Sequence, residues 1–152
     1  MTDLYEEIVA REIVTTRVYD ALRIEVFTAW TTEQRLKVWW GPRGFTNTFA
    51  EFGIKPGAAW KYTMHGPDGK DYPNEAKVID VVDGDRIVID HVSMPRFRLT
   101  ALFEDVGDGT KLTFRQLFET NAVYSAVRQF AVPGNEDNLD RLGELLAGAA
   151  VR

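Results

Sequence analysis

The chain has 152 residues, 45% apolar and 27% charged, the make-up of an ordinary globular protein, and its length predicts a single domain over 1–152. A net charge of −5 argues against nucleic-acid binding, which needs a basic face to displace counterions from phosphates. The absence of cysteine excludes disulfides and thiolate chemistry; the acidic start with Asp3, Glu6 and Glu7 does not resemble a signal peptide, no window approaches the ~18 apolar residues of a membrane span, and the expected location is the cytoplasm.

Ile8 to Val18 reads as a strand rich in β-branched residues. Asp20 is the expected N-cap of a helix from Ala21 to Trp30, where Leu22, Val26 and Trp30 recur every four residues. Thr31 or Thr32 starts a second short helix through Trp39, and Gly41-Pro42 stops it. Alternation then predicts six strands: Thr46 to Phe52, Ala58 to His65, Tyr72 to Val82, Arg86 to Val92, Phe97 to Val106 and Lys111 to Glu119. The turns Gly66-Pro67-Asp68-Gly69 and Gly107-Asp108-Gly109 are short, so neighbouring strands should run antiparallel. The last thirty residues are helical, with Pro133-Gly134 expected to divide a short helix from a longer one carrying Leu139, Leu142 and Leu146. The expected fold class is α+β. A curved, seven-stranded antiparallel sheet wraps a long C-terminal helix, and two short helices lie between the first and second strands. One helix against a concave aromatic face need not fill the space between them.

Several runs together carry a family resemblance: Arg17-Val18-Tyr19-Asp20-Ala21, Trp39-Trp40-Gly41-Pro42, Gly44-Phe45-Thr46-Asn47, His65-Gly66-Pro67-Asp68-Gly69, Tyr72-Pro73-Asn74-Glu75, and Gly134 through Leu142. From about Arg11 to Leu146 the chain resembles the START-like helix-grip superfamily (SRPBCC), and within it single-domain bacterial homologues of the C-terminal domain of the heat-shock-protein-90 ATPase activator. The resemblance implies a hydrophobic ligand cavity between sheet and terminal helix. Ligands of the wider superfamily include lipids, polyketides and hormones. The co-chaperone activators carry a second, N-terminal domain for which this chain has no room.

The candidate pocket residues are mostly aromatic: Trp39, Trp40, Phe49, Trp60, Tyr62, Phe97, Phe103, Phe114, Phe118 and Phe130, with Met64 and Leu139 on the same apolar faces. Core packing accounts for any one of them; as a set they suit a ligand site. His65 and His91 are the only histidines. His65 with Tyr72 and Glu75 would form a proton-transfer group if the three converged, and hydrogen-bonded strand ends are the plainer reading. Glu75, if it faces inward, needs a partner such as Arg98 or Arg115. Asn135 is the expected N-cap of the last helix, and Asp137 and Asp140 a solvated face. No metal is expected, because nothing has zinc-type spacing. No cofactor is expected, with no glycine-rich phosphate cradle present, and no serine nucleophile, because neither Ser93 nor Ser125 sits in a nucleophile elbow.

The leading expectation is a protein that binds a small hydrophobic molecule. The alternatives are an enzyme of cyclase, dehydratase or hydrolase type in the same cavity, and a co-chaperone-like interaction module. A homodimer and a chaperone partner stay open.

Overall fold

The computed structural model describes residues 11–150. The expected strand residues Ile8 to Ala10 and the acidic N-terminus lie outside that range. Strand β1 (Glu12–Tyr19) leads into α1 (Arg23–Thr31) and α2 (Glu33–Trp39). Six strands follow: β2 (Thr46–Glu51), β3 (Ala59–His65), β4 (Asp71–Val82), β5 (Arg86–His91), β6 (Phe97–Val106) and β7 (Gly109–Phe118). Helix α3 (Asn121–Ala150) ends the fold. The sheet order is β1-β7-β6-β5-β4-β3-β2, and every neighbouring pair is antiparallel. This is the helix-grip architecture, with β1 and β2 at opposite edges and α1–α2 carrying the chain between them. None of the described helices is long and apolar enough to cross a membrane.

Local chemistry explains most boundaries. Thr32 serves both short helices: its N–H donates to the Thr28 carbonyl, and its own carbonyl accepts from Arg35 and Leu36. Asp20 is not the cap of α1. Leu22 holds that position without a side-chain bond, and its carbonyl accepts from Glu25 and Val26. The β3–β4 hairpin closes where Gly69 adopts φ +83°, a conformation that costs glycine no Cβ clash. Asp68 accepts there from the Lys70 N–H.

Two expectations about the C-terminal segment are corrected. Helix α3 runs through Pro133 without a break, so Asn135 lies inside the helix and is not an N-cap. Proline removes one helical N–H, but this turn faces water. Gln129, Val132 and Pro133 are all exposed, so the freed carbonyl can be hydrated. Downstream, Leu139 and Leu142 are fully buried and fix the helix by burial rather than by propensity. Its true start is Thr120, whose hydroxyl accepts from the Val123 N–H at 3.1 Å.

The core lies where α1, α2 and the second half of α3 meet the concave face. Trp30, Trp39, Trp60, Leu36, Leu99 and Leu112 are fully buried there. Trp30 is the centre of an aromatic group, with ring centroids 5.0 Å from Trp39, 5.4 Å from Trp40, 6.0 Å from Phe103 and 5.9 Å from Phe114. Tyr19 ties the edge strand to the helix: its hydroxyl donates to the Leu139 carbonyl at 2.8 Å, and its ring packs against Gly143, where a side chain would crowd it. Burial pushes the Tyr19 phenol well above its usual pKa, so it stays a neutral donor. Arg17 grips the same helix through Glu136, at 2.9 Å, and Asp140. Asp140, expected as plain solvated surface, is therefore also an ion-pair partner.

Candidate functional site

The corner Trp39-Trp40-Gly41-Pro42 ends α2 and must turn sharply into β2. Gly41 has φ +94°, and a Cβ on it would collide with the Met64 methyl group; only glycine satisfies both conditions. The carbonyls left over at the end of α2 need donors. Asn47 donates to the Lys37 carbonyl at 3.2 Å and the Trp40 carbonyl at 2.8 Å. Asn138 on α3 accepts from the Gly41 N–H at 3.0 Å. Arg141 donates to five carbonyls, those of Trp40, Gly41, Pro42, Val38 and Phe45, at 2.7–3.2 Å. The corner is thus bolted to the middle of the terminal helix.

Beside this corner lies a cavity of about 350 Å³ between the sheet and α3. Trp40, Gly41 and Pro42 close one end. The sheet contributes Tyr62, Met64, Leu99, Phe114, Gln116 and Phe118. The helix contributes Val127, Phe130, Ala131, Gly134, Asn135 and Asn138. Asn74, His91, Pro95 and Phe97 complete the lining. Phe130 is 70% exposed although it lines the cavity, so the space opens to solvent beside it.

The candidate residues divide into three groups. Trp40, Tyr62, Met64, His91, Phe97, Phe114, Phe118 and Phe130 line the cavity. Trp39, Trp60, Phe103 and Leu139 are buried in the adjoining core, and Phe49 packs at its margin, stacked on Tyr62 at 5.0 Å. Trp39 faces α1, donating from Nε1 to the Ala29 carbonyl at 3.0 Å. Trp60 donates to the Gly53 carbonyl at 2.7 Å.

His65, Tyr72 and Glu75 stand apart from the cavity and from each other. Side chains alternate across a strand, so with Tyr62 and Met64 facing the cavity, His65 points to the opposite face. There it bonds Thr48 Oγ1 at 2.8 Å and Asp71 Oδ1 at 2.7 Å. Tyr72 is 40% exposed and donates to Asp68 Oδ2 at 2.7 Å. That bond, with the Lys70 N–H as the larger influence, lowers the Asp68 carboxyl below its usual range. Glu75 is exposed and opposite Lys61 in register. Its suggested partners are engaged elsewhere, Arg98 with Asp90 and Arg115 with Glu12. The proton-transfer group does not assemble.

The polar side chains of the cavity are chiefly Asn74, Gln116, Asn135 and Asn138, none of which stood among the expected pocket residues. The available signal was their position. Asn135 and Asn138 fall on the same helical face as Leu139 and Leu142, where apolar residues are expected, and Gln116 shares the inward alternation of Leu112, Phe114 and Phe118. Asn135 donates to Gln116 Oε1 at 2.9 Å. Trp40 donates to the Tyr62 hydroxyl at 3.3 Å, and burial pushes that phenol up to about 12, so it is neutral. Among the described residues no cluster of histidine, cysteine, aspartate and glutamate is placed to hold a metal ion.

His91 is buried and stacked on Phe97, with ring centroids 4.6 Å apart and 5° between planes. Nδ1 lies 2.8 Å from the Pro95 carbonyl, and Nε2 lies 2.8 Å from the Asn74 amide. Burial, the larger influence, pushes the imidazole below its usual range, against its hydrogen bond to the Pro95 carbonyl. A neutral ring has one N–H to share between two acceptors, the Pro95 carbonyl at Nδ1 and Asn74 Oδ1 at Nε2, the Asn74 Nδ2 being spent on the Tyr72 carbonyl. Because the folded pKa is the lower one, the unfolded chain takes up the proton first. Stability from neutral His91 is complete above about pH 6.5 and falls as the pH drops below it. We therefore expect a lower urea midpoint at pH 5.5 than at pH 7.5, with much of the drop removed in His91→Gln. An unchanged pH dependence in that variant would refute the assignment.

Comparison with known proteins follows the same lines. The sequence profile of the family described as Activator of Hsp90 ATPase homolog 1-like protein matches residues 20–147. No curated protein matches the chain in sequence. Among solved structures, a protein from Nitrosomonas europaea superimposes with a TM-score of 0.85 at 17% identity, over 93% of this chain and 97% of that one. A solution structure from Arthrobacter aurescens gives 0.86 at 20%, over 93% and 88%. One from Rhodobacter sphaeroides gives 0.82 at 22%, over 91% and 93%. At such identities the likeness concerns the fold.

Proposed function

The chain belongs to the family of Activator of Hsp90 ATPase homolog 1-like proteins, and from that premise we propose that it binds a small hydrophobic molecule in the cavity between the sheet and α3. The observation that carries this reading is the cavity itself, about 350 Å³ with largely apolar and aromatic walls and a few placed amides, the usual character of a small-molecule site. The apolar and aromatic walls of this solvent-open space favour an apolar occupant over water. The enzymatic alternative is weakened by the dispersal of His65, Tyr72 and Glu75. The interaction-module alternative needs an apolar surface separate from the cavity; Val18, Leu22 and Ile24 are exposed away from it, while Phe130, the most exposed large apolar side chain among the described residues, is part of the cavity wall.

Native mass spectrometry of protein purified without added ligand tests the proposal directly. A stoichiometric apolar mass is expected. Ala131→Phe, which fills the cavity from the helix side, should fold normally and lose that mass. It should also lose the stabilisation that a ligand selective for the native state confers, about 2.7 kcal/mol at a hundredfold excess over Kd. Equal retention by wild type and Ala131→Phe would place the molecule elsewhere and defeat the proposal.

A further inference from the structure

Resting on that reading, we infer that the cavity selects an uncharged ligand of about two fused rings, carrying a hydrogen-bond donor and acceptor side by side, and rejects ligands with an ionised head group. The wall composition is the first argument. Among the described residues none of the cavity-lining side chains is aspartate, glutamate, lysine or arginine. Of the cations on the helix, Arg141 has its guanidinium engaged by the five carbonyls of the corner, and Arg128 is exposed and lies over the Tyr124 ring. A carboxylate or ammonium in this space would lose its water and find no counter-ion.

The second argument is a built polar subsite. Gln116, Asn135 and Asn138 are only 7%, 8% and 6% exposed, and all three line the cavity. Each uses part of its amide: Asn135 Nδ2 donates to Gln116 Oε1, and Asn138 Oδ1 accepts from Gly41. The remaining atoms, Gln116 Nε2, Asn135 Oδ1 and Asn138 Nδ2, have no partner among the described residues, and none of them is fully enclosed by protein. If the Gln116 and Asn135 amides are both turned over, the pair still offers one donor and one acceptor. Buried amides on an otherwise apolar helix face are costly unless something completes their hydrogen bonds. A ligand bearing adjacent N–H or O–H and C=O groups does so.

Size follows by proportion. A closed apolar cavity of about 150 Å³ holds benzene, so the present volume accommodates on the order of 14 non-hydrogen atoms. The part of the wall where His91 stacks on Phe97 favours a flat ring.

Three probes of nearly equal shape separate the possibilities: 2-naphthamide, 2-naphthoate and naphthalene, titrated by protein-observed NMR at pH 7.5. We expect 2-naphthamide to bind at least about tenfold more tightly than 2-naphthoate, and more tightly than naphthalene, with shifts centred on Gln116 and Asn135. The double variant Gln116→Leu, Asn135→Leu replaces both partners by apolar groups of similar size and should fold. In it the advantage of the amide over naphthalene should collapse towards one. Tighter binding of 2-naphthoate, or an amide preference that survives the double variant, overturns the inference while leaving a ligand-binding cavity intact. Failure of all three probes to bind overturns both the inference and the binding reading beneath it.

Discussion

Trp30→Ala should destabilise the protein by about 3–5 kcal/mol, measured as the shift of the urea unfolding transition. The side chain is fully buried, and its neighbours come from separate elements: Trp39 from α2, Trp40 from the corner, Phe103 from β6 and Phe114 from β7. Collapse into the vacated space would have to move all of them at once, so most of the cavity cost remains. Against a total stability of about 5–15 kcal/mol for a domain, that is a large loss. Trp30→Phe provides the control. Trp30 Nε1 has no hydrogen-bond partner, so phenylalanine removes an unsatisfied buried donor along with part of the ring. Its cost should stay below about 2 kcal/mol. Trp39→Phe should cost more than Trp30→Phe, because it orphans the Ala29 carbonyl. Equal losses for the two phenylalanine variants would contradict the packing argument.

The second large effect is expected at Arg141. Its guanidinium satisfies carbonyls of residues 38, 40, 41, 42 and 45 at once, most of them left over by the end of a helix and a sharp turn. Hydrogen bonds to a charged donor contribute more than neutral ones, and water can replace some of them here because Arg141 is half-buried. We expect Arg141→Ala to cost about 2–4 kcal/mol. Lysine keeps the charge but not the planar fork, so Arg141→Lys should recover only a minor part. Burial holds the Arg141 pKa below its usual value, yet the group stays charged at any ordinary pH, and the loss should be the same at pH 6 and pH 8. Trp40, Gly41 and Pro42 form one wall of the cavity, so ligand-dependent stabilisation should fall in the same variants. A fully stable Arg141→Ala would show that the corner holds itself.

The placement of individual functional residues was legible only in part. Tyr62, Phe114 and Phe118 could be assigned to a concave apolar face by alternation, and they do line the cavity. Trp39, Trp60, Phe103 and Leu139 carry the same chemistry but pack into the core. Nothing local separates a ring that touches a neighbour from one that faces a void. His65 was drawn towards the site by its place beside a hairpin, yet one step along a strand reverses the face, and its partners are Thr48 and Asp71.

The sequence by itself determined the elements and their order. Period-two alternation, glycine turns at Gly66–Gly69 and Gly107–Gly109, and the four-residue recurrence in α1 are properties of neighbouring residues, and neighbouring residues set φ, ψ and side-chain direction. Antiparallel pairing of consecutive strands follows from loops too short for anything else. The continuity of α3 through Pro133, the bond of Asn135 to Gln116, and the hold of Arg141 on a corner about a hundred residues away were decided by the tertiary structure alone. Each weighs a local cost, a missing N–H, a buried amide or a desolvated cation, against partners that only the folded chain brings within reach.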